Sequence, residues 1–161
     1  MKRCCYLLLT FVLIFSCWPP EVFAIVQEND NDEVIDSVVY QECIVQSDGS
    51  VLEIRTVRSA KTANYVNGST YILKRSNTGT VLWRATLTAR FFYNGSASSC
   101  VSAVLTTQFD DSSYFEVSRN VTKEDETATA NFTIGHRVLG ITVGTKSYTL
   151  NLTCDMNGNI S

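Results

Sequence analysis

The chain has 161 residues, of which 45% are apolar and 18% charged, and its formal net charge is −3. That content suits one globular domain and excludes a long disordered chain, a collagen-like repeat or a multidomain enzyme. The lack of a basic excess argues against a general nucleic-acid binder, and a single histidine leaves little room for His-based metal clusters or His-dependent catalysis.

Residues 1–24 read as a secretory signal peptide. Lys2 and Arg3 form a positive start, and Tyr6–Trp18 is an apolar run too short for a comfortable transmembrane helix. Pro19 and Pro20 end any helix there, and Val22-Phe23-Ala24 supplies a cleavage site. The expected product is secreted, with no integral membrane span. A lipid anchor at Cys17 is the alternative, although Phe15 fits poorly in a lipobox.

Cleavage after Ala24 leaves positions 25–161, with 11 Lys+Arg and 15 Asp+Glu, a net charge of −4, and no proline. Three of the six cysteines remain: Cys43, Cys100 and Cys154. An odd number allows at most one intrachain disulfide. Cys100 and Cys154 both lie in the strand-rich C-terminal half, which favours them as the pair and leaves Cys43 as a free thiol. Three buried free thiols are the alternative.

Residues 25–33 are acidic and almost without apolar side chains, as a flexible segment would be. A single domain is expected over 34–161. Val34–Gln46 fits a helical face about as well as a strand. Ser47-Asp48-Gly49 signals a turn, Val51–Val57 a strand and Arg58–Gly68 a loop. Tyr71–Lys74 is a short strand before the turn at Ser76–Gly79. Val81–Tyr93 alternates most clearly, with Val81, Trp83, Ala85, Leu87, Ala89, Phe91 and Tyr93 on one face and Arg84, Thr86, Thr88 and Arg90 on the other.

Asn94-Gly95 turns the chain into a strand over Val101–Phe109. Tyr114–Arg119 is short, and Lys123–Glu126 is a charged turn. Ala128, Ala130, Phe132 and Ile134 share a face. Val138–Val143 reads as a strand interrupted by Gly140. Tyr148, Leu150, Leu152 and Cys154 share another face, and Asp155–Asn159 reads as a turn-like tail. Seven or eight short strands with regular turns predict an all-β, antiparallel, Ig-like β-sandwich, with a small β-barrel as the alternative. Ser and Thr recur throughout positions 25–161, which suits the wet faces of strands.

The order Gly79-Thr80-Val81-Leu82-Trp83, Ala89–Gly95, Cys100, Leu139-Gly140 and Leu150–Ser161 resembles a group of uncharacterised small secreted proteins of Gram-positive (Firmicutes) gut bacteria. The resemblance covers roughly residues 79–161. It implies an all-β secreted domain in which Cys100 and Cys154 pair, and it implies no activity. Six Asn-x-Ser/Thr sequons are then a product of composition rather than glycosylation sites.

Candidate chemistry is sparse. His136, between Gly135 and Arg137, reads as an exposed turn residue. Asp155-x-Asn157-x-Asn159 opens like a calcium loop, but Ile160 stands where an EF-hand needs glycine. No phosphate-binding loop, dinucleotide fingerprint or Cys-x-x-Cys is present, so no metal or other cofactor is expected. Phe92 falls on the polar face of the long strand, and Tyr114-Phe115 puts one aromatic on each face of its own strand; Phe92 and Tyr114 are the candidate binding residues. The expectation is a secreted, non-catalytic binding module for an extracellular protein or glycan. The alternatives are a hydrolase using paired carboxylates among Asp110, Asp111 and Glu116, and a surface-tethered structural protein.

Overall fold

The computed structural model describes residues 37–59 and 61–161. The expected signal peptide, Cys17 and the acidic segment 25–33 lie outside the described residues. Alternating side chains give each strand one face to bury and one to wet. Eight strands use that pattern: β1 (Ser37–Val45), β2 (Val51–Arg58), β3 (Tyr65–Arg75), β4 (Val81–Tyr93), β5 (Ser98–Phe109), β6 (Tyr114–Glu124), β7 (Thr127–Val138) and β8 (Ile141–Thr153). All pairings are antiparallel. One sheet runs β1-β2-β3-β4-β5 and the other β6-β7-β8.

The sandwich expected from the sequence is therefore present, and no ladder among the described residues closes it into a barrel. The Ig-like detail needs correction. Each strand pairs only with its neighbour in the chain, so the wiring is two meanders without the Greek-key connections of an immunoglobulin domain.

Between the sheets, β4 contributes Trp83, Ala85, Leu87, Ala89 and Phe91, and β7 contributes Ala128, Ala130, Phe132 and Ile134, all buried. β8 adds Leu150 and Leu152. Thr56 and Thr70 are also buried, and their hydroxyls satisfy each other at 3.0 Å. Phe91 is fully buried, and burying a side chain of that size contributes about 2–3 kcal/mol.

Several local readings change. Val34–Gln46, undecided between helix and strand, contains edge strand β1, which pairs with β2 but is exposed on both faces. The sheet it belongs to is two strands wider than its partner, so among the described residues nothing covers it. The expected loop at Arg58–Gly68 already includes the start of β3. Gly140 does not interrupt a strand. Leu139-Gly140 is the two-residue turn of the β7–β8 hairpin, because Val138 pairs with Ile141. Leu139 (φ 50°) and Gly140 (φ 81°) are both left-handed, as a type I′ turn requires, and leucine there costs on the order of 1–2 kcal/mol.

The tail is more than a turn. Cys154 and Ile160 form an antiparallel bridge, and the backbones of Thr153 and Ser161 exchange two hydrogen bonds of 2.9 Å. Ile160 enters the core against Gly68, where a side chain would have met it at 3.1 Å.

Carboxylates finish the turns. Asp48 Oδ1 accepts the Ser50 N–H at 2.9 Å, Asp111 Oδ1 accepts the Ser113 N–H at 2.8 Å, and Asp155 Oδ1 accepts the N–H groups of Asn157 and Asn159 at 2.9 and 2.7 Å. Hydrogen bonds from the Ser50 hydroxyl and N–H hold Asp48 down at about 2, and bonds from Ser113 and Asn159 hold Asp111 and Asp155 below the usual carboxylate range.

Candidate functional site

Phe92 and Tyr114 do not share a surface. Phe92 is at the far end of β4 from Trp83, on the outward face of the five-stranded sheet. Tyr114 begins β6 and turns into a cleft beside Trp83.

Around Phe92 the outward face carries a repeated pairing of cation and ring. The Arg90 guanidinium lies 4.3 Å from the centroid of the Tyr65 ring, and Tyr65 meets Phe92 edge-on at 5.5 Å. Further along β3, Tyr71 lies beneath two guanidiniums, with Arg84 at 5.5 Å and Arg55 at 5.9 Å. Cross-strand register builds both clusters: Tyr65 opposes Phe92 and Tyr71 opposes Arg55, while Arg90 and Arg84 sit diagonally across from the rings. Tyr65 and Tyr71 are six residues apart on one strand, which places the clusters roughly 20 Å from each other at ~3.3 Å per residue. Asn67, Ser69 and Thr88 lie between them, and the Ser69 and Thr88 hydroxyls are 3.1 Å apart.

Charge on this face is one-sided. Glu53 bridges Arg55 at 3.1 Å and Arg75 at 3.6 Å. Among the described residues neither Arg84 nor Arg90 forms an ion pair with a carboxylate. The Arg55 Nε–H is buried without a hydrogen-bond acceptor among the described residues. Cations held over ring faces remain available to an incoming anion, and guanidinium forks match carboxylate and sulfate geometry.

The cleft around Tyr114 has a volume of about 260 Å³. His136 is not an exposed turn residue. It is half-buried in β7, and its ring stacks on Tyr114 at 4.7 Å with the planes 18° apart. Trp83 meets Tyr148 edge-on at 5.1 Å. Lys74 lies over Tyr114 and Lys146 over Tyr148, each at 5.6 Å. Lys74 pairs with Asp48 at 3.5 Å, and Lys146 donates to Gln46 Oε1 at 3.0 Å. Burial, with Tyr114 and Asp48 adding to it, pushes the Tyr148 phenol up to about 12. Phe115 takes the opposite face, as its position beside Tyr114 predicts. It covers Gly135 and lies 4.4 Å beneath the Arg137 guanidinium.

The three carboxylates named for hydrolysis are each held by other groups. Asp110 accepts from Gln108 at 2.8 Å, and Asp111 caps its own turn. Burial disfavours charge on Glu116, but hydrogen bonds from Arg119 and Thr107 and the charge of Arg119 outweigh it and leave the carboxyl below its usual range. Such shifts keep Asp111 and Glu116 ionised, the opposite of the raised carboxyl that a general acid requires. Among the described residues no three His, Cys, Asp or Glu side chains gather as a metal site.

The cysteines are free thiols in this structure: Cys43 exposed on β1, Cys100 half-buried on β5 and Cys154 in the core. Cys100 packs against the cluster that contains Cys154. Burial raises the Cys100 thiol and, with Asp155 adding to it, pushes Cys154 up to about 11.

The sequence singles out Phe92 as a candidate but does not bring Tyr65, Tyr71 and the arginines together as a group. Their types are visible; their proximity depends on register. Compared with known proteins, the chain matches no family model, no curated protein and no solved structure.

Proposed function

We propose that the chain is a secreted, non-catalytic binding module for an anionic glycan, held on the outward face of its five-stranded sheet. The observation that carries this reading is the pair of arginine–aromatic clusters, Arg90 with Tyr65 and Phe92, and Arg84 and Arg55 with Tyr71. Aromatic faces suit the C–H side of sugar rings, and guanidinium forks suit sulfate or carboxylate substituents. An open strip with two anchoring points fits an extended polymer better than a small molecule, which would need a concave pocket. Secretion rests on the reading of residues 1–24 as a signal peptide.

The test is titration of the purified chain from residue 25 onward with a sulfated polysaccharide, a uronate polysaccharide, a neutral polysaccharide and single-stranded DNA. Binding of an acidic polysaccharide, weakened by Arg90→Ala and Arg84→Ala, supports the reading. Equal binding of the neutral polymer, indifference to both substitutions, or preference for the DNA overturns it.

A further inference from the structure

The β7–β8 hairpin ends in four apolar side chains that the fold leaves in the open. Leu139 is 97% exposed, Ile141 69%, Val143 58% and Val138 48%. Scattered exposed hydrophobes are ordinary, but here they crowd around one turn. The turn itself is unfavourable for leucine. A type I′ turn prefers Asn, Asp or Gly at its first central position, yet Leu139 takes that left-handed conformation with φ 50°. Strain retained at a fully exposed position points to a use for the side chain outside the folded domain.

Charge identifies the partner. From Thr127 to Cys154 the two strands contain no Asp or Glu, although the chain has 16. They carry Arg137 one residue below the tip and Lys146 further down, opposite Ile134. Two carboxylates lie nearby and both are engaged: Asp48 pairs with Lys74 at 3.5 Å, and Asp111, close to His136, accepts the Ser113 N–H at 2.8 Å. An apolar tip above a cationic collar matches the layers of an anionic bilayer: hydrocarbon for the tip, phosphate headgroups for the collar. The Arg137 guanidinium rests over the Phe115 ring at 4.4 Å, which orients it at the level of such headgroups.

We propose that the β7–β8 hairpin inserts its Val138–Val143 tip into the surface of an anionic lipid bilayer. This contact is peripheral, since a two-residue turn and its flanking pairs reach only the outermost part of one leaflet. It uses no residue of the arginine–aromatic face, so the two proposals stand or fall separately.

The experiment is co-sedimentation of the chain from residue 25 onward with phosphatidylcholine vesicles, with and without phosphatidylglycerol. Binding is expected with the anionic vesicles and is weaker with phosphatidylcholine alone. Leu139→Asn should lower affinity about tenfold, the loss of one well-buried leucine. It should leave the melting temperature unchanged or higher, because asparagine suits the turn. Arg137→Gln should weaken binding and flatten its salt dependence. No sedimentation with anionic vesicles overturns the proposal. So does undiminished binding by Leu139→Asn, or binding lost in Arg84→Ala and Arg90→Ala but kept in Leu139→Asn.

Discussion

Cys100 and Cys154 hang from consecutive carbonyls of one turn: the Cys100 N–H donates to Asp125 O at 2.6 Å and the Cys154 N–H to Glu126 O at 3.0 Å. The end of β8 and the start of β5 are thereby drawn to the β6–β7 turn, and the Ser98 hydroxyl adds a bond to the Cys154 carbonyl. Both thiols have raised pKa values, so little thiolate is present for spontaneous exchange near neutral pH. Pairing of Cys100 with Cys154 is predicted to need a dithiol oxidase or a disulfide donor in an oxidising compartment. The protein recovered from such a compartment should be lighter by two hydrogens, with only Cys43 alkylated before reduction. The bridge should add about 4 kcal/mol by the chain-entropy relation. Alkylation of all three cysteines in the native protein recovered from that compartment would refute this.

Acid should destabilise the fold in a defined window. Asp48, Asp111 and Asp155 have folded pKa values below their unfolded ones. Their contribution is therefore complete above the ordinary value of 3.8 and is lost as pH falls towards the Asp48 value of about 2. Thermal melts from pH 6 down to pH 2 should hold level and then decline below about pH 4. Asp48→Asn should remove part of that decline.

Ile160→Ala is predicted to destabilise the protein by about 2–4 kcal/mol, because the side chain fills the core against Gly68. Denaturant titration measures this directly. A loss below about 0.5 kcal/mol, the level of an ordinary surface change, would show that the tail is not docked.

Gly135→Ala probes a different face. A Cβ there would lie 2.5 Å from Phe115 Cζ, so the ring must move and release Arg137 from its stacking position. A loss of about 1–3 kcal/mol is expected. The double variant Gly135→Ala, Phe115→Ala should recover part of it.

Arg90→Ala should reduce affinity for an acidic polysaccharide about tenfold, the equivalent of one charge-assisted contact. The effect should shrink as salt rises. Thr88→Ala, on the same face between the clusters, should change binding far less.

Much of the sandwich is legible in the sequence because period-two alternation is a local signal. Val81–Tyr93 announces its buried and wet faces residue by residue, and β4 reproduces them. Three features escape because they depend on pairing. Tyr65 and Arg90 are distant in sequence and meet only through the β3–β4 register. His136 looks like a turn residue because Gly135 precedes it, yet that glycine makes room for Phe115 inside a strand. Gly140 looks like a flaw in a strand because a strained leucine, rather than Asn or Asp, precedes it in the turn. The choice of meanders over a Greek key is likewise a property of sheet membership, which alternation does not encode.

The meander wiring has a kinetic consequence. Sandwiches usually fold slowly because their ladders join strands far apart in the chain. Here each ladder closes through a short turn, so either sheet can zip from its own hairpins at small loop-closure cost. The remaining non-local step is docking of one sheet on the other through residues 110–113, where Asp110 and Asp111 both donate their N–H groups to Leu82 O at 3.0 Å. That short hinge, more than any single strand, should set the rate at which the two layers find each other.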